Sequence, residues 1–344
     1  MDLRQRLGLE VPIVQAPMAG VQGSALAIAV SRAGGLGSLP CAMLTPDGVR
    51  SEIATIAAAT TKPFNVNFFC HMPPAPDAAH DAAWRETLAP YYREFAIDPA
   101  SIKPGPGRAP FDADAAAVIE ATKPAVVSFH FGLPSPPLRE RVRASGSCIV
   151  ASATTVDEAR FLEARGVDAI IAQGVEAGGH RGIFLSDDLT TQLGTLALVP
   201  QIAHAVRVPV IAAGGIADAA GVRAVLSLGA TLAQVGTAFL CCPETTTSAL
   251  HRAALTSDAA RHTALTNVFT GRPARGIVNR IVREVGPISD KVPAFPLATA
   301  ALAPLRAAAE RAGSGDFSPL WSGQNASGCR TVPASQRVRE LAHA

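Results

Sequence analysis

The residues best suited to chemistry lie in a few short stretches. Ala212-Ala213-Gly214-Gly215-Ile216 and Gln234-Val235-Gly236-Thr237 each end an apolar run on glycine. Glycine lets backbone N–H groups approach a ligand closely and take turns closed to other residues, which suits a phosphate. Thr237 adds a hydroxyl donor. Glycines that merely tighten a turn are the competing reading, and two such turns in succession favour the phosphate. Upstream, Gly174-Val175-Glu176-Ala177-Gly178-Gly179-His180-Arg181-Gly182 carries four glycines in nine residues, a loop able to wrap a flat ligand. His180 is its only side chain that exchanges a proton near neutral pH. A histidine hydrogen-bonded to its own loop remains the alternative. Glu176 and Arg181 suit structural pairing or solvent.

Asn67 and Gln173 each end an apolar run. Amides offer donors and acceptors without charge, which fits the polar edge of a flavin's pyrimidine ring or the fixing of a loop. Ser128 and His130 stand two apart and so face one side of a strand, as candidate substrate contacts. His71, His130 and His180 form no HxH or HExxH pair and have no carboxylate beside them, so no metal is expected. Gly34-Gly35-Leu36-Gly37 ends a helix and enters a strand, the reverse of a dinucleotide fingerprint.

These residues must be held by regular elements. Eight short apolar runs recur, at residues 13–16, 36–39, 64–68, 126–129, 148–151, 169–172, 210–213 and 232–235. Continuous rather than alternating apolar runs mark parallel strands covered by helices, and eight of them predict a (β/α)8 TIM barrel. The glycine turns then follow the seventh and eighth strands, where barrel phosphate sites form. Helix starts are legible at Thr45-Pro46, at the capping box Thr155-Val156-Asp157-Glu158, and at Asp218.

Two segments exceed a minimal barrel: residues 71–123 after the third strand, and residues 241 onward after the eighth. Both leave the C-terminal face, so they are expected to form a mostly helical cap over the substrate. The expected division is a barrel over 1–240 with the insertion 71–123, a helical cap over 241–315, and a segment 316–344 returning to the barrel. Residues 103–110 read as a surface loop.

Composition narrows the function classes. The 344-residue chain is 48% apolar and 17% charged with net charge +2, which supports a large core and argues against nucleic acid as a partner. No apolar run approaches membrane-spanning length, and the amino terminus reads as no signal peptide. Six scattered cysteines without a CxxC pair fit reduced thiols and a cytoplasmic location.

Several stretches together resemble the nitronate monooxygenase family, class I, formerly called 2-nitropropane dioxygenases. They are Gln15-Ala16-Pro17-Met18-Ala19-Gly20, Asn65-Val66-Asn67-Phe68-Phe69, Ser128-Phe129-His130-Phe131-Gly132 and the loop through His180. Gly214-Gly215, Gln234 to Thr237, Thr270-Gly271-Arg272 and Trp321-Ser322-Gly323-Gln324 extend the match over nearly the whole chain. The resemblance implies FMN, held by Met18, Asn67, Gln173, Gly178, Gly214, Gly215, Gln234, Val235, Gly236 and Thr237. It implies oxidative denitrification of an alkyl nitronate, propionate 3-nitronate foremost, with O2, to a carbonyl compound and nitrite. His180 would act as a base or as a positive partner of the nitronate, in a monomer or homodimer. The chain's only tyrosines, Tyr91 and Tyr92, leave no tyrosine in the C-terminal region to contact substrate. An NAD(P)H-dependent FMN reductase acting on enoyl-ACP or a quinone is the alternative. A barrel that binds a phosphorylated metabolite without redox chemistry is a second.

Overall fold

The structure, a computed structural model, describes residues 3–103, 105 and 107–343. Pro104 and Pro106 of the expected loop 103–110 lie outside the described residues. Eleven strands are present among them: β1 (Ile13–Gln15), β2 (Gly37–Pro40), β3 (Phe64–Phe69), β4 (Val126–His130), β5 (Cys148–Ala153), β6 (Ala169–Gln173), β7 (Gly179–His180), β8 (Val210–Ala213), β9 (Leu232–Val235), β10 (Thr263–Thr266) and β11 (Ala274–Ile277). Eight of them, all but β7, β10 and β11, are the expected apolar runs, with ends moved by at most two residues.

Those eight form one parallel sheet in the order β1-β9-β8-β6-β5-β4-β3-β2. A parallel bridge from Val14 to Leu36 closes it, with the Gln15 N–H donating to the Leu36 carbonyl at 2.9 Å. The runs are continuously apolar because both faces are buried. Val150, Ile171 and Ile211 fill the barrel interior, while Ile149, Ile170 and Val210 pack against the helices. Thr45, Thr155 and Asp218 each accept a hydrogen bond from the first turn of their helix. The capping box is half formed, since the Glu158 carboxylate instead accepts from Thr154 and from the Phe184 and Leu185 N–H groups. It thereby ties the stretch after His180 to the top of β5.

The cap has its own apolar core. Helix Ala78–Glu94, from the insertion, packs on helix Ala298–Arg311 through Trp84, Leu88, Tyr92 and Leu305. Trp84 and Tyr92 satisfy their polar atoms by donating to the Ala298 and Ala301 carbonyls at 3.3 and 2.7 Å. The C-terminal stretch is less purely helical than expected, because β10 and β11 form an antiparallel ribbon within it. β11 also pairs with β7, matching Ala274 to His180 and Arg275 to Gly179. The last helix, Ala334–Ala342, returns to the barrel and buries Val338 and Leu341 in its outer core. Among the described residues, no helix is long and apolar enough to cross a membrane.

Candidate active site

A cavity of about 1360 Å³, open mouth included, lies over the C-terminal ends of the strands and under the cap. Met18, Asn67, Gln173, Gly178, Gly214, Gly215, Gln234, Gly236, Thr237, His130 and His180 all line it. The structure thus brings together most of the residues singled out from sequence. Ser128 and Val235 are not on its wall. The Ser128 hydroxyl and carbonyl accept from the Asn67 amide at 2.9 and 3.3 Å, so Ser128 positions Asn67 rather than facing a ligand. Val235 contributes its carbonyl to Ala16, which starts the turn toward Met18. That turn is fixed by Gln22, whose Oε1 accepts from the Met18 N–H at 3.1 Å and from Gln15 at 2.6 Å.

The two glycine turns provide backbone donors. Gly214 and Gly215 have φ of 122° and 69°, conformations that disfavour a side chain. No acceptor among the described residues takes the N–H of Gly215, Gly236 or Thr237. Unpaired amides at a cavity suit an anion. The chain does not enter a long helix after β9 but a three-residue 3-10 turn, Thr237–Phe239. The helix after β8 is capped by Asp218, so its N-terminus already faces a carboxylate. The Thr237 hydroxyl accepts from the Gly323 N–H at 2.9 Å, which spends one lone pair on the C-terminal segment.

Three further features show what the cavity is shaped to take. The buried Oε1 of Gln234 has no donor among the described residues, a cost that a ligand N–H or O–H would relieve. Asn67 uses Nδ2 on Ser128 and keeps Oδ1 as an acceptor. Gly179 has φ of 72°, and a Cβ there would meet no protein atom within 4 Å, so it borders open space. Gly178 differs, because a Cβ there would lie 2.5 Å from the Gly323 N. This glycine admits the C-terminal segment, and Gly179 borders the open cavity. Gln173 spends both ends of its amide on the loop, donating to the His180 carbonyl at 3.0 Å and accepting from the Gly182 N–H at 2.7 Å. These contacts fit the loop-fixing reading of Gln173.

His180 sits between the rim and an aromatic wall. Its ring centroid lies 5.3 Å from Phe295, 5.6 Å from Trp321, 5.9 Å from Phe131 and 6.1 Å from Phe69. Nε2 is 2.9 Å from the Thr270 hydroxyl. Burial holds its pKa well below the ordinary imidazole value, and the nearby Arg108, His130, Arg272 and His71 act in the same direction. The ring is therefore neutral at physiological pH, which fits a base and not a standing positive charge. His130 lines the same wall, with Nε2 3.2 Å from the His180 carbonyl and Nδ1 3.0 Å from the Ser152 hydroxyl. Burial lowers its pKa to about 4. Both ring nitrogens are occupied, so His130 positions the His180 backbone.

As expected, Glu176 and Arg181 are structural. Glu176 accepts from the Thr195 N–H and hydroxyl, and buried Arg181 donates to the Gly174 and Gln173 carbonyls. The site also contains residues that sequence reasoning assigned no role: Arg108, His251, Trp321, Gly323 and Asn325. Trp321 and Gly323 lie in one of the matched stretches. Arg108 and His251 carry no local pattern that would mark them.

Comparison with known proteins gives the family and the fold. The family model described as nitronate monooxygenase matches residues 2–343. A nitronate monooxygenase of Paraburkholderia phytofirmans is 46% identical over 338 residues, covering 97% of this chain and 92% of its own length. Among solved structures, nitroalkane oxidase from Streptomyces ansochromogenes superposes with a TM-score of 0.89 at 40% identity, covering 99% of this chain and 97% of that one. FabK from Thermotoga maritima is similar at a TM-score of 0.74 and 26% identity, covering 98% and 94%.

Proposed function

The chain belongs to the nitronate monooxygenase family, and we propose that it binds FMN and converts short alkyl nitronates, propionate 3-nitronate foremost, with O2 to a carbonyl compound and nitrite. The family is flavin-dependent. The observation that carries the reading is the meeting, on one cavity, of neutral His180 and two glycine turns with unpaired amides.

In this reading the amides of Gly215, Gly236 and Thr237 hold the phosphate. Gln234 Oε1 and Asn67 Oδ1 accept from the cofactor's donors, while Met18 and Gly179 border its ring. Bound there, FMN supplies the redox chemistry and the reaction with oxygen. The protein's own part is positioning, exclusion of water and proton transfer. Phe69 and Trp321 line the substrate space, with Phe131 and Phe295 packed behind Phe69, and keep it dry. His180 Nδ1, which has no partner among the described residues, is the site that takes a proton from the α-carbon of a neutral nitroalkane. The Thr270 contact at Nε2 sets the ring's orientation. A nitronate already lacks that proton, and for it His180 serves as a neutral polar contact.

Aerobic turnover tests the assignment. Propionate 3-nitronate should be consumed together with O2 and release nitrite without any pyridine nucleotide. A protein that releases no nitrite while consuming NADH rapidly would be the reductase alternative instead.

A further inference from the structure

Arg108 is the one lysine or arginine lining the cavity among the described residues, and no aspartate or glutamate joins it there. It comes from the insertion, on the cap side, whereas the glycine turns and Met18 belong to the barrel rim. Its guanidinium carbon lies 5.5 Å from the centroid of the Phe295 ring. The same phenyl ring stands 5.3 Å from His180, so Arg108 and His180 both neighbour one aromatic side chain. Among the described residues, no carboxylate lies within ion-pair distance of Arg108, and no hydrogen-bond acceptor takes its guanidinium. Arg272, nearby, is committed: it donates to the Ile183 carbonyl and stacks 4.2 Å from the Phe131 ring centroid.

A partly buried cation without a counter-ion, facing a cavity free of acids, is matched by an anion brought in by the ligand. The reacting end of the substrate must lie by His180 and the rim, so the group that meets Arg108 is the far end. A guanidinium fork fits a carboxylate with two parallel hydrogen bonds. We propose that Arg108 is a specificity-determining residue, selecting short nitronates that carry a terminal carboxylate over nitronates with an apolar tail. This inference rests on the nitronate oxidation proposed above. It also supplies from the insertion the substrate contact that the absence of C-terminal tyrosines leaves open.

The test compares propionate 3-nitronate with propyl-1-nitronate, similar in length but lacking the carboxylate, in the wild-type holoenzyme and in Arg108→Met and Arg108→Lys. Wild type should prefer propionate 3-nitronate in kcat/KM. Arg108→Met should raise its KM by about 30-fold or more, with kcat within about threefold and propyl-1-nitronate nearly unaffected. Arg108→Lys should recover part of the loss. Calorimetric binding of 3-nitropropionate, against 1-nitropropane, should weaken in step without turnover. Flavin content and Tm equal to wild type establish that Arg108→Met is folded. Equal losses on both nitronates would place Arg108 at the reacting end and overturn the proposal, as would unchanged discrimination. Failure of wild type to oxidise either nitronate would instead overturn the functional reading beneath it.

Discussion

At the residue scale, the chemistry turns on a histidine kept neutral by its surroundings. His180→Asn removes the proton acceptor while keeping a polar group of similar reach. We expect turnover of neutral nitroalkanes to fall by about 100-fold or more with flavin content unchanged, as measured by steady-state kinetics and the visible spectrum. The sign of the pH effect follows from the lowered pKa. A ring whose pKa lies below the ordinary value is already neutral around neutrality, and loses its basicity only as pH falls through the depressed value. The rate should therefore be flat from about pH 8 down past the ordinary imidazole range near 6.5. An acid limb centred there would contradict the burial argument. Gly179 offers a second handle. Gly179→Val must hold φ near 72° and places its side chain in the open space proposed for the flavin ring, so the purified protein should be largely colourless. Gly215→Val acts differently, because its Cβ would meet the Glu176 side chain at 3.4 Å. Backbone strain at φ of 69° is the cause to expect there. Residue types and glycine spacing made both turns legible in the sequence. The sequence did not show which glycine faces the open cavity and which faces the chain, because that depends on the segment at Gly323 arriving from far away.

At the scale of elements, the eight parallel strands were legible because strands buried on both faces read as unbroken apolar runs. β7, β10 and β11 were not. β7 has two residues, too few for any period to show, and it exists only through its pairing with β11. The half-formed capping box has a similar origin, since Glu158 is drawn to the Phe184 and Leu185 amides across the barrel top. The C-terminal segment around Gly323 crosses the glycine turns, with the Gln324 N–H donating to the Glu176 carbonyl at 2.9 Å. A Cβ at Gly323 would lie 2.9 Å from that same carbonyl oxygen and 3.3 Å from the Thr237 hydroxyl. Gly323→Val should push this segment off the turns and weaken flavin retention by about tenfold or more, read by fluorescence titration of FMN into the stripped protein. The barrel should keep its Tm within a few degrees, since its core is untouched. Unchanged flavin affinity would show that the segment does not brace the phosphate seat.

At the scale of the whole molecule, barrel and cap have separate apolar cores that meet over one cavity. The sequence implied the cap through two segments leaving the same barrel face, but not that Trp84 and Tyr92 of the first would be capped by carbonyls of the second. Trp84→Ala should cost about 3–5 kcal/mol of cap packing. Because the glycine turns belong to the barrel, the variant should lose substrate affinity before it loses flavin, which a paired KM and flavin titration would show. Loss of both together would mean that the two cores unfold as one. Whether this cavity holds FMN and passes it electrons from a nitronate is read directly in the visible spectrum of the purified protein under nitrogen. Adding propionate 3-nitronate should bleach the flavin absorbance within the mixing time or soon after, and air should restore it with release of nitrite. A spectrum unmoved by the nitronate but bleached rapidly by NADH, or a protein that takes up no FMN, would contradict nitronate oxidation at this site.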